Sequence, residues 1–139
     1  MNKPQIVEDS ELDFDSDLVC TLDGEAFTGI AYEDSPALGR SEISYRDGVQ
    51  EGLARDWYPS GVLKGESHYV EGVLHGTSRE FDESGHLTTE VFFEYGIRLL
   101  ARRFSSDGEV MATEELDPND EAARLLVRLR AERNWELDA

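Results

Sequence analysis

Cysteine is nearly absent from this sequence. Its single copy, Cys20, cannot form an internal disulfide, and a reducing compartment is expected. Long apolar runs are missing as well. Nothing approaches the roughly 20 residues that cross a bilayer as a helix, and no basic segment followed by an apolar stretch opens the chain as an export signal. The expected location is the cytoplasm. Positive charge is scarce: 13 Lys and Arg stand against 31 Asp and Glu, a formal net charge of −18. Nucleic-acid phosphates and anionic lipid would both be repelled, so neither is an expected partner; a basic protein is. Apolar content of 39% is low for a deep core and suits a thin sheet. Histidine is limited to His68, His75 and His86, at spacings of 7 and 11 residues, which match no compact metal motif. They read as surface polar residues.

What the chain does have is glycine at a fixed step. Gly24, Gly48, Gly72 and Gly96 lie 24 residues apart, a period that marks a repeat architecture. Gly52 and Gly61 fall on Gly76 and Gly85 by the same step. Arg55, Asp56 and Trp57 fall on Arg79, Glu80 and Phe81; Leu63, Glu66 and Tyr69 fall on Leu87, Glu90 and Phe93. The fourth copy runs one residue short, at Phe104 and Gly108. The first is loose, with Gly29 in place of the second glycine and Pro36 and Gly39 in its middle.

The glycines sit in Asp23-Gly24, Asp47-Gly48, Glu71-Gly72, Ser60-Gly61, Ser84-Gly85 and Asp107-Gly108. Such pairs between short alternating runs are hairpin signals, because glycine takes the positive φ that tight turns need. Between turns the period is two: Leu63, Gly65, Ser67 and Tyr69 on one face, Lys64, Glu66 and His68 on the other. The expected fold is mainly β, an antiparallel meander of about eight strands in four hairpin repeats over residues 18–116. Its first hairpin turns at Asp23-Gly24. Aromatic columns such as Tyr45, Tyr69 and Phe93 need neighbouring repeats in register to be covered.

Residues 117–139 change period. Asp117 reads as a helix N-cap with Pro118 in the first turn. Ala122, Leu125, Leu126 and Leu129 form an apolar stripe, and arginines gather toward the end, where the helix dipole favours them. This is an amphipathic helix that caps the sheet or meets a partner. Residues 1–17 form an acidic tail or edge, with the first ten or so expected to fray. Asp13, Asp15 and Asp17 alternate like the opening of a calcium loop. No glycine occupies the sixth position, and the Leu-Val-Cys-Thr-Leu that follows reads as a strand, so the segment is expected to be a solvated acidic edge.

No catalytic constellation, cofactor motif or metal motif emerges. Cys20 lies in an apolar strand and reads as a small core residue. The ordered feature is acidic. Glu42, Glu66 and Glu90 share one repeat position, and Asp56 and Glu80 share another. Alternation sets Glu42, Glu66 and Glu90 on the face opposite Tyr45, Tyr69 and Phe93, roughly 10 Å apart. Together with Asp13, Asp15 and Asp17 they are the candidate contacts for a basic partner; a solvated face is the competing reading. Arg55 and Arg79 share a face with Trp57 and Phe81, which leaves open which face binds.

The run from Tyr45 through Lys64, with its Asp-Gly, Glu-Gly and Pro-Ser-Gly signals, resembles the variant MORN repeat. The arrangement over about Leu18 to Leu116 resembles the YwqK-type antitoxins. That resemblance implies a hairpin-repeat scaffold without a catalytic centre, acting as the neutralising partner of a toxin. The alternative is a structural scaffold whose hairpins associate with copies of themselves. A bare sheet edge would favour it, and sealed edges would not.

Overall fold

The computed structural model describes residues 5–137. The chain enters as β1 (Gln5–Glu8), a 3-10 turn (Asp9–Glu11), β2 (Asp13–Phe14), β3 (Cys20–Leu22) and β4 (Glu25–Ala26). It continues through β5 (Gly29–Ser35), β6 (Gly39–Arg46), β7 (Val49–Trp57), β8 (Leu63–Val70), β9 (Val73–Leu74) and β10 (Gly76–Phe81). It closes with β11 (Leu87–Glu94), β12 (Ile97–Phe104), β13 (Val110–Glu115) and the helix α1 (Glu121–Arg133).

From β5 onward the sheet is a meander, each strand antiparallel to the next, in the order β5-β6-β7-β8-β10-β11-β12-β13, with β9 paired to β8. Two turn types alternate. Asp47-Gly48, Glu71-Gly72 and Tyr95-Gly96 have positive φ at both residues, the two-residue turn whose twist matches the strands. At the other end, four-residue loops close at Gly61, Gly85 and Gly108, each glycine N–H donating to the carbonyl three residues back. The two-residue turns are also tied to the preceding repeat: Gly48, Gly72 and Gly96 donate their N–H to the carbonyls of Phe27, Gln50 and Leu74, at 2.7–2.9 Å.

The first copy departs from the expected meander. Its hairpin does turn at Asp23-Gly24, but β2, β3 and β4 form a separate small sheet. Nor does the N-terminal segment fray where it is described: β1 lies parallel to β5, Gln5 against Gly29. Gly29 makes this possible. A Cβ there would stand 2.2 Å from the carbonyl oxygen of Gln5, so only glycine admits β1.

Burial is sparse, as a thin sheet requires. Cys20, Phe27 and Ala31 are buried; Cys20 and Phe27 lie beside the Asp47-Gly48 turn, bonded to Gly48 through the main chain, and Phe27 packs against Tyr45 with ring centroids 6.0 Å apart. Burial raises the Cys20 thiol above its ordinary pKa, and Asp9 adds to the shift, which suits a core thiol and not a nucleophile. The small sheet thus covers one end of the row of two-residue turns. Helix α1 covers the other, with Leu126 buried.

The helix begins later than its sequence suggests. Asp120, not Asp117, is the N-cap; its carboxylate accepts from the N–H of Ala122 at 2.9 Å. Asp117 instead closes a turn, accepting from the N–H of Asn119. Leu125 points outward, 38% exposed, so the inner stripe is Ala122, Ala123, Leu126 and Leu129.

Candidate protein-binding surface

Cross-strand partners share a sheet face, so the register decides what Glu42, Glu66 and Glu90 see. Arg55 lies opposite both Glu42 and Glu66. Arg79 lies opposite both Glu66 and Glu90. Arg102 lies opposite Glu90. The expected negative stripe is therefore an alternating row, Glu42, Arg55, Glu66, Arg79, Glu90, Arg102. Glu66 is bridged to Arg55 at 3.4 Å and to Arg79 at 3.5 Å. Glu90 is bridged to Arg79 at 3.1 Å and to Arg102 at 4.0 Å. Glu42 is held by Arg40 at 2.9 Å, and that hydrogen bond is the main reason the Arg40 pKa is raised. The row is self-neutralising. Its pairs are part-buried and form a network, the setting in which ion pairs contribute more than isolated surface pairs do.

Asp56 and Glu80 behave differently. Both are register partners of Gly65, one from each side, which places them on the opposite face from the Glu–Arg row and about 10 Å apart. Gly65 leaves a notch between them; a Cβ there would press on the Arg79 carbonyl at 3.3 Å. A cleft of about 320 Å³ opens at this point, walled by Asp56, Tyr58, Lys64, Glu80 and Thr88. Neither carboxylate forms an ion pair within 4.0 Å among the described residues, while the Glu–Arg row is paired throughout. Asp56 accepts a hydrogen bond from Ser41. Lys64 holds its ammonium over the Tyr58 ring, 5.8 Å from the centroid. Along this face the register row reads Ser41, Asp56, Gly65, Glu80, Thr89: two carboxylates set among small side chains.

The N-terminal acids divide as well. Asp15 is used internally, its Oδ1 accepting from the N–H groups of Asp17 and Val19, at 2.8 and 2.9 Å. Asp15 thereby builds the turn between β2 and β3. Asp13 lies in β2 and Asp17 in that turn, both exposed.

One cluster escaped the sequence reading. His75 is 1% exposed, which corrects its assignment to the surface. Its ring lies 4.7 Å from the Tyr95 ring and meets Trp135 edge-on at 5.2 Å. Trp135 donates its main-chain N–H to the Tyr95 hydroxyl at 2.9 Å. Arg130 donates to the carboxylate of Glu94 through both Nε and Nη2. These contacts fasten α1 to the Tyr95-Gly96 turn. The available signal was in the repeat column, where Asp23, Asp47 and Glu71 give way to Tyr95. His68 accompanies the cluster through its Nδ1 contact to the His75 carbonyl at 2.9 Å, and exposed His86 pairs with Asp82.

This architecture is that of a β-hairpin repeat protein. Two stretches are similar to a known repeat: residues 50–71 and 74–95 each match the family model described as MORN repeat variant, spanning β7–β8 and β9–β11. Comparison with curated proteins gives no match. Among solved structures, the chain is similar to part of one described as accessory secretory protein 1, 2 and 3 in Streptococcus pneumoniae. The likeness has 17% identity and a TM-score of 0.40, and covers 82% of this chain and 20% of that one. This chain therefore spans about one fifth of that chain's length.

Proposed function

We propose that this repeat protein is a non-enzymatic binding module. Its partner is a basic protein segment laid along the face that carries Asp56, Gly65 and Glu80. The observation that supports this is the pair of carboxylates flanking the Gly65 notch without an ion-pair partner among the described residues. A lysine or arginine entering above Gly65 meets two carboxylates at once, and charge-assisted hydrogen bonds of this kind are the strong ones. The Glu42–Arg102 row on the reverse face braces the sheet and is not the contact. Asp13 and Asp17 extend the negative potential that steers a basic partner inward.

The finer reading is that the partner is a basic toxin, neutralised by steric and electrostatic blockade. The resemblance to YwqK-type antitoxins supports it. The net charge of −18 works against nucleic acid or an anionic membrane as the ligand.

The test is a pull-down from native cell extract with the purified chain as bait, at low and high salt, beside an Asp56→Lys/Glu80→Lys double variant. A stoichiometric basic protein, released by salt and weakened roughly tenfold or more in the variant, is the expected result. Equal retention by the wild type and the variant would remove the cleft from the proposal. Identification of the captured protein then decides whether it is a toxin.

A further inference from the structure

Strand β13 ends the sheet, with a neighbour on one side only among the described residues. All of its residues except Ala112 are exposed, Met111 to 69%. An edge of this kind is a template for another strand. We infer that β13 is a dimerisation edge. Two copies of this chain pair their β13 strands antiparallel, about a two-fold axis at Thr113, and join two sheets into one.

The register identifies which groups are free. Leu116 donates its N–H to the Leu99 carbonyl at 2.9 Å. The same register continues as Leu100 with Glu115, Ala101 with Glu114, Arg102 with Thr113 and Arg103 with Ala112. Hydrogen-bonded and non-hydrogen-bonded pairs alternate in an antiparallel ladder. Glu114 and Ala112 therefore bond inward to β12. The main-chain N–H and C=O of Thr113 and Glu115 point outward, away from the sheet.

A two-fold pairing centred on Thr113 satisfies the outward Thr113 groups reciprocally. It sets Thr113 against Thr113, a favourable cross-strand pair. It sets Glu115 against Met111 and Glu114 against Ala112 of the second copy, so no glutamate faces a glutamate.

Charge selects a second copy over other occupants. The chain is strongly acidic, but β12 and β13 together carry Arg98, Arg102 and Arg103 against Glu114 and Glu115. The glutamates of β13 are thus offset by the arginines of β12, and two acidic chains approach along this edge without a local excess of negative charge. Arg103 shares a face with Ala112. In the paired sheet that row continues to Glu114 of the second copy, about 10 Å from Arg103, a gap both long side chains span over the small alanine. The interface is isologous, so it closes as a dimer and does not propagate.

The test uses the full chain. Light scattering is expected to give twice 15.6 kDa. Thr113→Pro returns the mass to a single chain with an unchanged circular dichroism spectrum, because an outward N–H serves no ladder bond of its own sheet. Thr113→Cys is expected to form a disulfide-linked dimer under mild oxidation, since paired residues at such a position lie about 5.5 Å apart. Ser106→Cys, in the exposed loop before β13, is expected to remain monomeric on a denaturing gel. Cys20 is fully buried and does not compete. A single-chain mass for the wild type overturns the inference, as does a dimer that Thr113→Cys fails to cross-link. A chain that stays single while its β13 edge captures an extended segment of another protein overturns it too. Should Thr113→Pro misfold, the cysteine pair decides alone.

Discussion

The main-chain N–H of Tyr95 donates to Nδ1 of His75 at 2.9 Å. One repeat earlier, the N–H of Glu71 donates to the carboxylate of Glu51 at the same distance. His75 is thus the third copy's version of a recurring device, a side chain that accepts the N–H of the first residue of the next two-residue turn. With Nδ1 accepting, Nε2 carries the proton; it is buried without a hydrogen-bond partner, and its ring stands edge-on to Trp135. Truncation to alanine removes the acceptor, strands the Tyr95 N–H and leaves a cavity under the helix. His75→Ala is expected to lose about 2–4 kcal/mol in urea unfolding. Trp135 emission should shift red in the native state, read in a Trp57→Phe background. A loss below about 0.5 kcal/mol would mean the cluster does not fasten the helix.

Glu94 gives the helix a pH limit. The hydrogen bonds from Arg130 lower its pKa, burial works the other way, and the net result lies below the ordinary glutamate value. A carboxylate lowered in the folded state stabilises the fold fully above its unfolded pKa, about 4.3. That contribution is lost as pH falls through the lowered folded value. At neutral pH, Glu94→Gln is expected to cost about 1.5–3 kcal/mol. The wild-type and variant curves of stability against pH should converge as the pH drops below about 4. Titration of Trp135 fluorescence with denaturant at several pH values measures this. Parallel curves would show that the Arg130 contact does not hold Glu94 in its charged form.

Most of the meander is readable because its turns demand glycine. Asp47-Gly48 and Glu71-Gly72 take positive φ at both positions, and few other dipeptides do so at low cost. The N-terminal pairing is hidden for the opposite reason. Gln5–Glu8 is short and mostly polar, and its place depends on the absence of a Cβ at Gly29. Helix capping was ambiguous because Asp117 and Asp120 are both competent, and Pro118 suits a turn as well as a first helical turn. The candidate site was legible in composition but not in pairing. A plain hairpin about Asp47-Gly48, continuing from Arg46 against Val49, would set Glu42 against Leu53. An irregularity between Ile43 and Tyr45 brings Arg55 there instead. No periodicity of side chains announces such a bulge, so the arginines that neutralise the glutamates could not be placed beforehand.

That pairing separates two kinds of carboxylate, and charge reversal distinguishes them. Glu66 stands between Arg55 and Arg79. Glu66→Lys removes both bridges and places three cations in one row. Like charges directly opposed destabilise a sheet by about 0.2–1 kcal/mol per pair, so with the bridges gone the loss should be about 1–2 kcal/mol. Asp56 has no such partners; Asp56→Lys at the cleft should leave stability within about 0.5 kcal/mol of the wild type, while weakening capture of a basic partner. Thermal or urea unfolding of the two variants, beside binding to the same captured partner, reads both effects. The expected pattern is crossed: Glu66→Lys unstable but still binding once corrected for the folded fraction, Asp56→Lys stable but weakened in binding. The reverse pattern would return the binding surface to the Glu42, Glu66 and Glu90 row and make the cleft face structural.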